Sequence, residues 1–418
     1  MTTVVLLGTL DTKGREYAFL RDEIRAHSDC DVILVDAGVI GEPQVTPDIS
    51  REEVAAAAGT SIAQLADAND RGAAIATMAE GAASVVTRLF AEGRLQGMLG
   101  LGGSGGSSLA THAMQRLPVG VPKLMVSTVA SGDTRPYVGA VDITMMYSVV
   151  DIEGINQVSR RILGNAAAAI AGMAAAYARP LPETDERPLI AATMFGVTTA
   201  AVKHARDILE SRGFEVLVFH ATGAGGQSME ALAAGGFLAG VLDITTTELA
   251  DELVGGVLSA GPDRLEAAGE HGIPQVVSLG ALDMVNFGPK STVPEKFRDR
   301  NLYVHNPAVT LMRTTPEESA ALGREIARKL SAARGPVALF IPRGGVSVIS
   351  TEGGVFFDPA ADAALIDALL ANLGDNVEVH DLEYDINDDR FSAAMANRLA
   401  DMIISQQEGQ PHDDGSGR

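Results

Sequence analysis

Short runs of β-branched and aliphatic residues that end in Gly, Ser, Thr or Asp alternate along this chain with Ala-rich segments whose apolar positions recur at helical spacing. That alternation predicts parallel strands joined by crossover helices, an α/β fold. In the first half it predicts strands over 4–7, 32–35, 97–101 and 123–127, with helices over 18–26, 73–90 and 107–116. In the second half it predicts strands over 189–194, 216–219, 240–244 and 275–278. Between the halves, residues 179–187 (RPLPETDER) carry two prolines and five charges, the composition of a linker. The expected organisation is two Rossmann-like domains with mainly parallel sheets, at 1–178 and 188–405. A polar stretch at 406–418 reads as a disordered tail. The segments 29–36 (DCDVILVD) and 213–220 (GFEVLVFH) align, as do 121–127 and 273–279, which suggests a weak internal duplication. Any two parallel sheets share part of this pattern.

Length and charge narrow the picture. At 418 residues the chain exceeds the roughly 100 to 200 residues of one ordinary domain. A formal charge of −22, from 54 acidic against 32 basic side chains, argues against nucleic acid or an anionic membrane as partner. A small anion is still admissible, because local N–H groups and helix N-termini hold it whatever the distant surface charge. The single cysteine, Cys30, excludes an intrachain disulfide and a Cys-based zinc cage, and fits a reducing cytoplasm. Met1 leads directly into strand-like sequence, so the reading expects no export signal and a cytoplasmic location. The apolar stretch 166–178 falls short of the roughly 20 residues that cross a bilayer and reads as a packed helix.

In an open parallel sheet, ligands sit beyond the carboxyl ends of the strands. After the first strand comes GTLDTKG, with Gly8, Thr9, Asp11, Thr12 and Lys13. After the third comes GLGGSGGSS, with Gly102, Gly103, Ser104, Gly105, Gly106 and Ser107. After the fourth comes STVASGDTR, with Ser127, Thr128, Ser131, Thr134 and Arg135. Glycines without Cβ let the backbone bend round an anion with successive N–H groups turned inward, which is phosphate chemistry. Neither the Walker pattern nor the GxGxxG fingerprint is present. Lys13 can supply the missing cation, Thr9 and Thr12 hydroxyl bonds, and Asp11 a partner for magnesium or a ribose. The plain alternatives are a tight strand-to-helix turn without ligand, a capped helix start at Asp11 or Thr12 with Lys13 solvated, and a surface role for Arg135.

The second half carries different chemistry at equivalent positions: HATGAGG (220–226), DITTTELAD (243–251), SLGALDMVNFG (278–288), HNP (305–307) and MRTT (312–315). His220 or His305 could transfer protons, Asp243 or Glu248 could act as carboxylate partner, and Arg313 as an anion clamp. A structural hydrogen bond is the competing role for each. No HxH or HxxxH spacing supports a metal here, and the metal ligands stay unassigned.

Taken together, GTLDTKG, DRGAAIATMAEGA (70–82), LGLGGSGGSS, STVASGDTRPYVG and MMYSVVDIEGIN (145–156) resemble a bacterial, fungal and plant family typified by the ATP-binding N-terminal region of the tomato mosaic virus resistance protein. VFHATGAGG, LDITTTELADEL, GALDMVNFGP, HNP and TLMRTT extend the resemblance through the second half. It implies two Rossmann-like domains, self-association into a homodimer, and ATP with Mg2+ in the N-terminal domain. The plant member's antiviral activity does not carry over. Its further C-terminal domain suggests a separately encoded partner protein for this chain.

Three functions follow. The leading one is an ATP-dependent enzyme acting on a small organic acid at an interdomain cleft, with His220, Asp243 and Arg313 as catalytic residues. The alternatives are a nucleotide-sensing protein without turnover, and an isomerase or hydrolase of a phosphorylated metabolite bound by the same glycine loop.

Overall fold

The computed structural model describes residues 2–68, 70–179 and 187–409. The chain forms two compact units, Met1–Thr184 and Asp185–Arg418. The expected linker lies outside the described residues apart from Arg179 and Arg187.

Unit 1 is built on five parallel strands, β1 (Thr3–Gly8), β2 (Asp31–Asp36), β3 (Gly97–Gly102), β4 (Lys123–Ser127) and β5 (Thr144–Tyr147), in the order β2-β1-β3-β4-β5. Side chains alternate across the pleat, so each strand feeds two cores. Val5 and Leu7 pack with helices Arg71–Ala91 and Ser104–Gln115 on one face, and Val4 and Leu6 with helices Leu10–His27 and Gln157–Tyr177 on the other. Full burial on both faces explains why these strands read as continuous apolar runs. Helix Arg71–Ala91 is long and apolar enough by composition to span a bilayer, but its Met78, Ala82, Val86 and Leu89 are part of this core.

Unit 2 holds a six-stranded parallel sheet of β6 (Leu189–Met194), β7 (Glu215–His220), β8 (Gly240–Thr245), β9 (Gln275–Gly280), β13 (Val337–Pro342) and β14 (Val377–Leu382). Its order is β14-β13-β9-β8-β6-β7. A separate antiparallel sheet, β10-β12-β11, is formed by β10 (Met284–Phe287), β11 (Leu302–Asn306) and β12 (Val309–Arg313). Leu339 and Ile341 of β13 pack against helices Pro316–Ser331 and Pro359–Asn372, while Phe340 faces helices Thr199–Ser211 and Asp389–Gly409. Counted within the sheet itself, each large sheet runs second, first, third, fourth, fifth strand, and that of unit 2 adds a sixth. The segments aligned by sequence are the second strands, β2 and β7, and the fourth strands, β4 and β9.

Two local expectations change. The first helix begins at Leu10 rather than at residue 18, with a non-helical Lys13 (φ −124°, ψ 15°), so DTKG is a kinked first turn and not a loop. Gly14, in that first stretch of the helix, serves packing: a Cβ there would lie 2.8 Å from the Cβ of Gln44. At the other end, residues 406–409 complete helix Asp389–Gly409, and Gln406 Nε2 donates to the Gly272 carbonyl at 3.1 Å. The rest of the expected tail, 410–418, lies outside the described residues.

Candidate functional site

Unit 1 opens a cavity of about 600 Å³ at the carboxyl ends of β1 and β3. In a sheet ordered β2-β1-β3-β4-β5 this is the topological switch point, where the chain leaves neighbouring strands toward opposite faces and a crevice forms between the departing loops. First-turn residues of three helices line it: Leu10–His27, Arg71–Ala91 and Ser104–Gln115. A helix N-terminus carries N–H groups without intrahelical acceptors and the positive end of the helix dipole. Thr9 and Gly103, the N-caps of the first and third of these helices, make no side-chain cap bond, whereas Asp70 caps the second by accepting from Ala73 N at 3.0 Å. The backbone at the glycine loop is both tight and open. A Cβ on Gly102 would stand 2.9 Å from the Cα of Gly106, while on Gly103 its nearest neighbour would be Thr128 Oγ1 at 3.6 Å.

Of the residues expected at a phosphate, Thr9, Asp11, Thr12, Lys13, Gly102, Gly103, Ser104, Gly105 and Gly106 line this cavity. The Thr9 and Thr12 hydroxyls bond each other at 2.8 Å, and Lys13 Nζ donates to the Ile152 carbonyl. Asp11 Oδ2 accepts from the N–H groups of Ile40 and Gly41 at 3.0 and 3.2 Å; its Oδ1 is buried with no partner among the described residues. Beneath it, fully buried Asp36 accepts from Leu10 N and Gly38 N at 3.0 and 2.9 Å. Burial pushes the Asp36 carboxyl above its ordinary value, against the pull of those two N–H bonds.

Gly8, Ser107, Ser127 and Thr128 stand outside the lining. A side chain on Gly8 would collide with the Tyr17 phenol. That phenol donates to the Leu7 carbonyl at 2.5 Å and accepts from Leu101 N at 2.9 Å, tying β1 to β3. Ser107 and Ser127 are fully buried and bond each other at 2.6 Å, so they fix the glycine-loop helix against β4. Arg135 is a surface residue with its fork on Asp133 at 2.9 and 2.7 Å. The sequence reading lacks the apolar wall, Val39, Ile40, Leu65 and Ile75, and the charged residues Arg71 and Asp151. Arg71 and Ile75 lie in the DRGAAIATMAEGA motif and Asp151 in MMYSVVDIEGIN, whereas no quoted motif holds Val39, Ile40 or Leu65.

Unit 2 places its expected residues apart. His220 is exposed at the end of edge strand β7, and His305 is exposed on β11. Asp243 has no exposure; it belongs to a buried ion cluster centred on Arg264, which nothing in the local sequence marks. Arg264 donates from Nη1 and Nη2 to Asp243 at 2.5 and 2.8 Å, from Nε to Glu248 at 2.7 Å, and from Nη1 to Glu230 at 3.3 Å. Burial alone would lower the Arg264 pKa, but Asp243, Glu248 and Glu230 outweigh it and keep the guanidinium charged. Thr193 Oγ1 donates to Asp243 at 2.6 Å, and Glu248 accepts from Gly223 N and Gly226 N at 2.7 and 3.0 Å, pinning the HATGAGG turn. Arg313 is likewise turned inward, donating to the Phe356 carbonyl at 2.8 Å, Thr314 Oγ1 at 2.9 Å and Asp362 at 2.6 Å. The expected trio of His220, Asp243 and Arg313 is therefore not one constellation: two members are consumed by buried ion pairs, which local sequence cannot reveal. Among the described residues no three His, Cys, Asp or Glu side chains gather as a metal site.

Residues 2–179 match the N-terminal domain, and residues 187–403 the C-terminal domain, of the "Uncharacterised protein family (UPF0261)". The chain belongs to the UPF0261 family. A UPF0261 protein of Clostridium tetani is 54% identical over 401 residues, covering 96% of this chain and 98% of its own. One from Rhizobium meliloti is 50% identical over 404 residues, covering 96% and 99%. The Solanum lycopersicum protein named ToMV resistance protein Tm-1(GCR237) is 41% identical over 421 residues, covering 96% of this chain but 55% of the tomato protein. The motif resemblance is thus a UPF0261 membership that reaches both units. Among solved structures, a UDP-GlcNAc 2-epimerase from Neisseria meningitidis aligns over 98% of this chain and 100% of its own at 9% identity, with a TM-score of 0.24, and that likeness carries no functional argument.

Proposed function

We propose that unit 1 of this UPF0261 protein binds a nucleoside triphosphate, ATP with Mg2+. One observation carries the reading: a cavity of about 600 Å³ at the β1/β3 switch point, into which the glycine-loop helix presents a first turn without a side-chain cap. That volume falls within the roughly 300–1,000 Å³ of small-molecule sites. Free N–H groups at the start of Ser104–Gln115 suit phosphate oxygens. The wall of Val39, Ile40, Leu65 and Ile75 suits a base, offering apolar surface without side-chain hydrogen bonds. Mg2+ is commonly held by one or two carboxylates plus phosphate oxygens and water. Asp11, with its unpartnered Oδ1, fits that role, and Asp70 and Asp151 are the other carboxylates of the lining. The metal would screen these acids and the polyphosphate from each other.

Sensing rather than turnover is favoured by the burial of Asp243 and Arg313 in internal ion pairs. Of the trio expected to serve an ATP-dependent enzyme acting on a small organic acid, His220 alone has an exposed side chain. Calorimetry of the purified protein with ATP and Mg2+, with GTP, inorganic phosphate and an EDTA control in parallel and ADP release followed in the same samples, tests both points. Magnesium-dependent ATP binding without ADP is the expected result. Steady ADP release would replace the sensor with the enzyme, and no binding at millimolar ATP would overturn the nucleotide reading.

A further inference from the structure

The DRG run at 70–72 is not absorbed by the glycine loop, yet the fold brings it there. Arg71 is the first residue of helix Arg71–Ala91 and lines the same cavity as residues 102–106. One turn on, Ile75 reaches to 3.3 Å from where a Cβ on Gly105 would stand, so this face of the helix looks onto the glycine loop. Arg71 and Ile75 share that face by their i, i+4 spacing.

Three features single out Arg71. It is exposed and forms no ion pair among the described residues, whereas the other cation of the lining, Lys13, is engaged by the Ile152 carbonyl. Its neighbour Asp70 is occupied in capping Ala73 N. A cation in a first helical turn also stands against the helix dipole, so helix stability does not account for it. A local rule broken without local compensation marks a functional position.

We infer that Arg71 is the side chain that grips the ligand's phosphates, together with the first-turn N–H groups of Ser104–Gln115. The inference rests on the proposed nucleotide site but concerns the polyphosphate itself. A guanidinium fork matches two phosphate oxygens, a geometry that a lysine ammonium does not reproduce.

The test is calorimetric titration of wild type, Arg71→Gln, Arg71→Lys and Arg88→Gln with ATP and Mg2+, and separately with inorganic tripolyphosphate. Arg88→Gln makes the same charge change at the far end of the same helix. Arg71→Gln is expected to lose roughly 10- to 100-fold in affinity for both probes, the scale of one lost charge-assisted contact. Arg71→Lys should recover part of that loss and Arg88→Gln should match wild type. Wild-type affinity for ATP in Arg71→Gln would overturn the inference and leave the nucleotide site standing. Tripolyphosphate binding without ATP binding would overturn the nucleotide reading, with Arg71 then judged on tripolyphosphate alone. Binding of neither probe by wild type would overturn both.

Discussion

Ile75 and Gly105 meet across the mouth of the unit 1 cavity: a Cβ placed on Gly105 would lie 3.3 Å from Ile75 Cδ1. An alanine there asks Ile75 to yield a few tenths of an ångström, and a valine adds two methyl groups beyond that Cβ. Gly105→Val should therefore keep the fold while narrowing the site, with at least a tenfold loss of ATP affinity by calorimetry. Adding Lys13→Ala, which removes the link to Ile152, should abolish measurable binding. Normal ATP affinity in the folded double variant would mean that the phosphates lie elsewhere.

The buried cluster in unit 2 predicts a stability defect where a catalytic role would predict only lost turnover. Arg264 and Asp243 both have fully buried side chains. Arg264→Met would strand Asp243 and Glu248 without their counter-charge. Breaking a buried ion pair from one side typically costs about 3–5 kcal/mol. Denaturant unfolding of Arg264→Met and of Asp243→Asn should show this as a lowered midpoint for unit 2. Full stability with altered ADP release would return Asp243 to a catalytic role.

Two buried acids give unit 2 a pH signature. Burial lifts Asp283 to about 6, against the opposing charge of Arg313 and the bond from Ser347, and lifts Asp251 to about 7, against bonds from Asn286 and Leu258. An unfolded aspartate titrates at about 3.9, so above that pH the unfolded chain releases protons that the folded chain keeps. Stability consequently falls as pH rises from about 4 through the folded values, then levels off. For Asp283 the loss is on the order of 3 kcal/mol. Asp283→Asn removes this titration, so the drop in unfolding free energy between about pH 4.5 and about pH 7.5 should be smaller than in wild type. An equal drop in the variant would show that Asp283 ionises in the folded protein as it does in the unfolded one.

The sequence by itself determined the α/β class, the positions of the predicted strands and the glycine loop, because each leaves a local trace. A strand buried on both faces must be continuously apolar, and a tight strand-to-helix return such as Gly102 against Gly106 excludes Cβ. Local pattern also brought Thr9, Asp11, Thr12 and Lys13 to the site, although it gave a loop where a kinked helix stands. Tertiary structure alone decided the rest. Asp243 and Arg313 look reactive in sequence, but their partners Arg264 and Asp362 lie 21 and 49 residues away, and only folding shows that they are consumed. Val39 and Leu65 come from segments whose composition is that of ordinary helices and turns, and the motif that holds Arg71 and Ile75 does not say which of its side chains face the cavity. What makes them a site is the strand order, which sends neighbouring connections to opposite faces and leaves the space between β1 and β3 open.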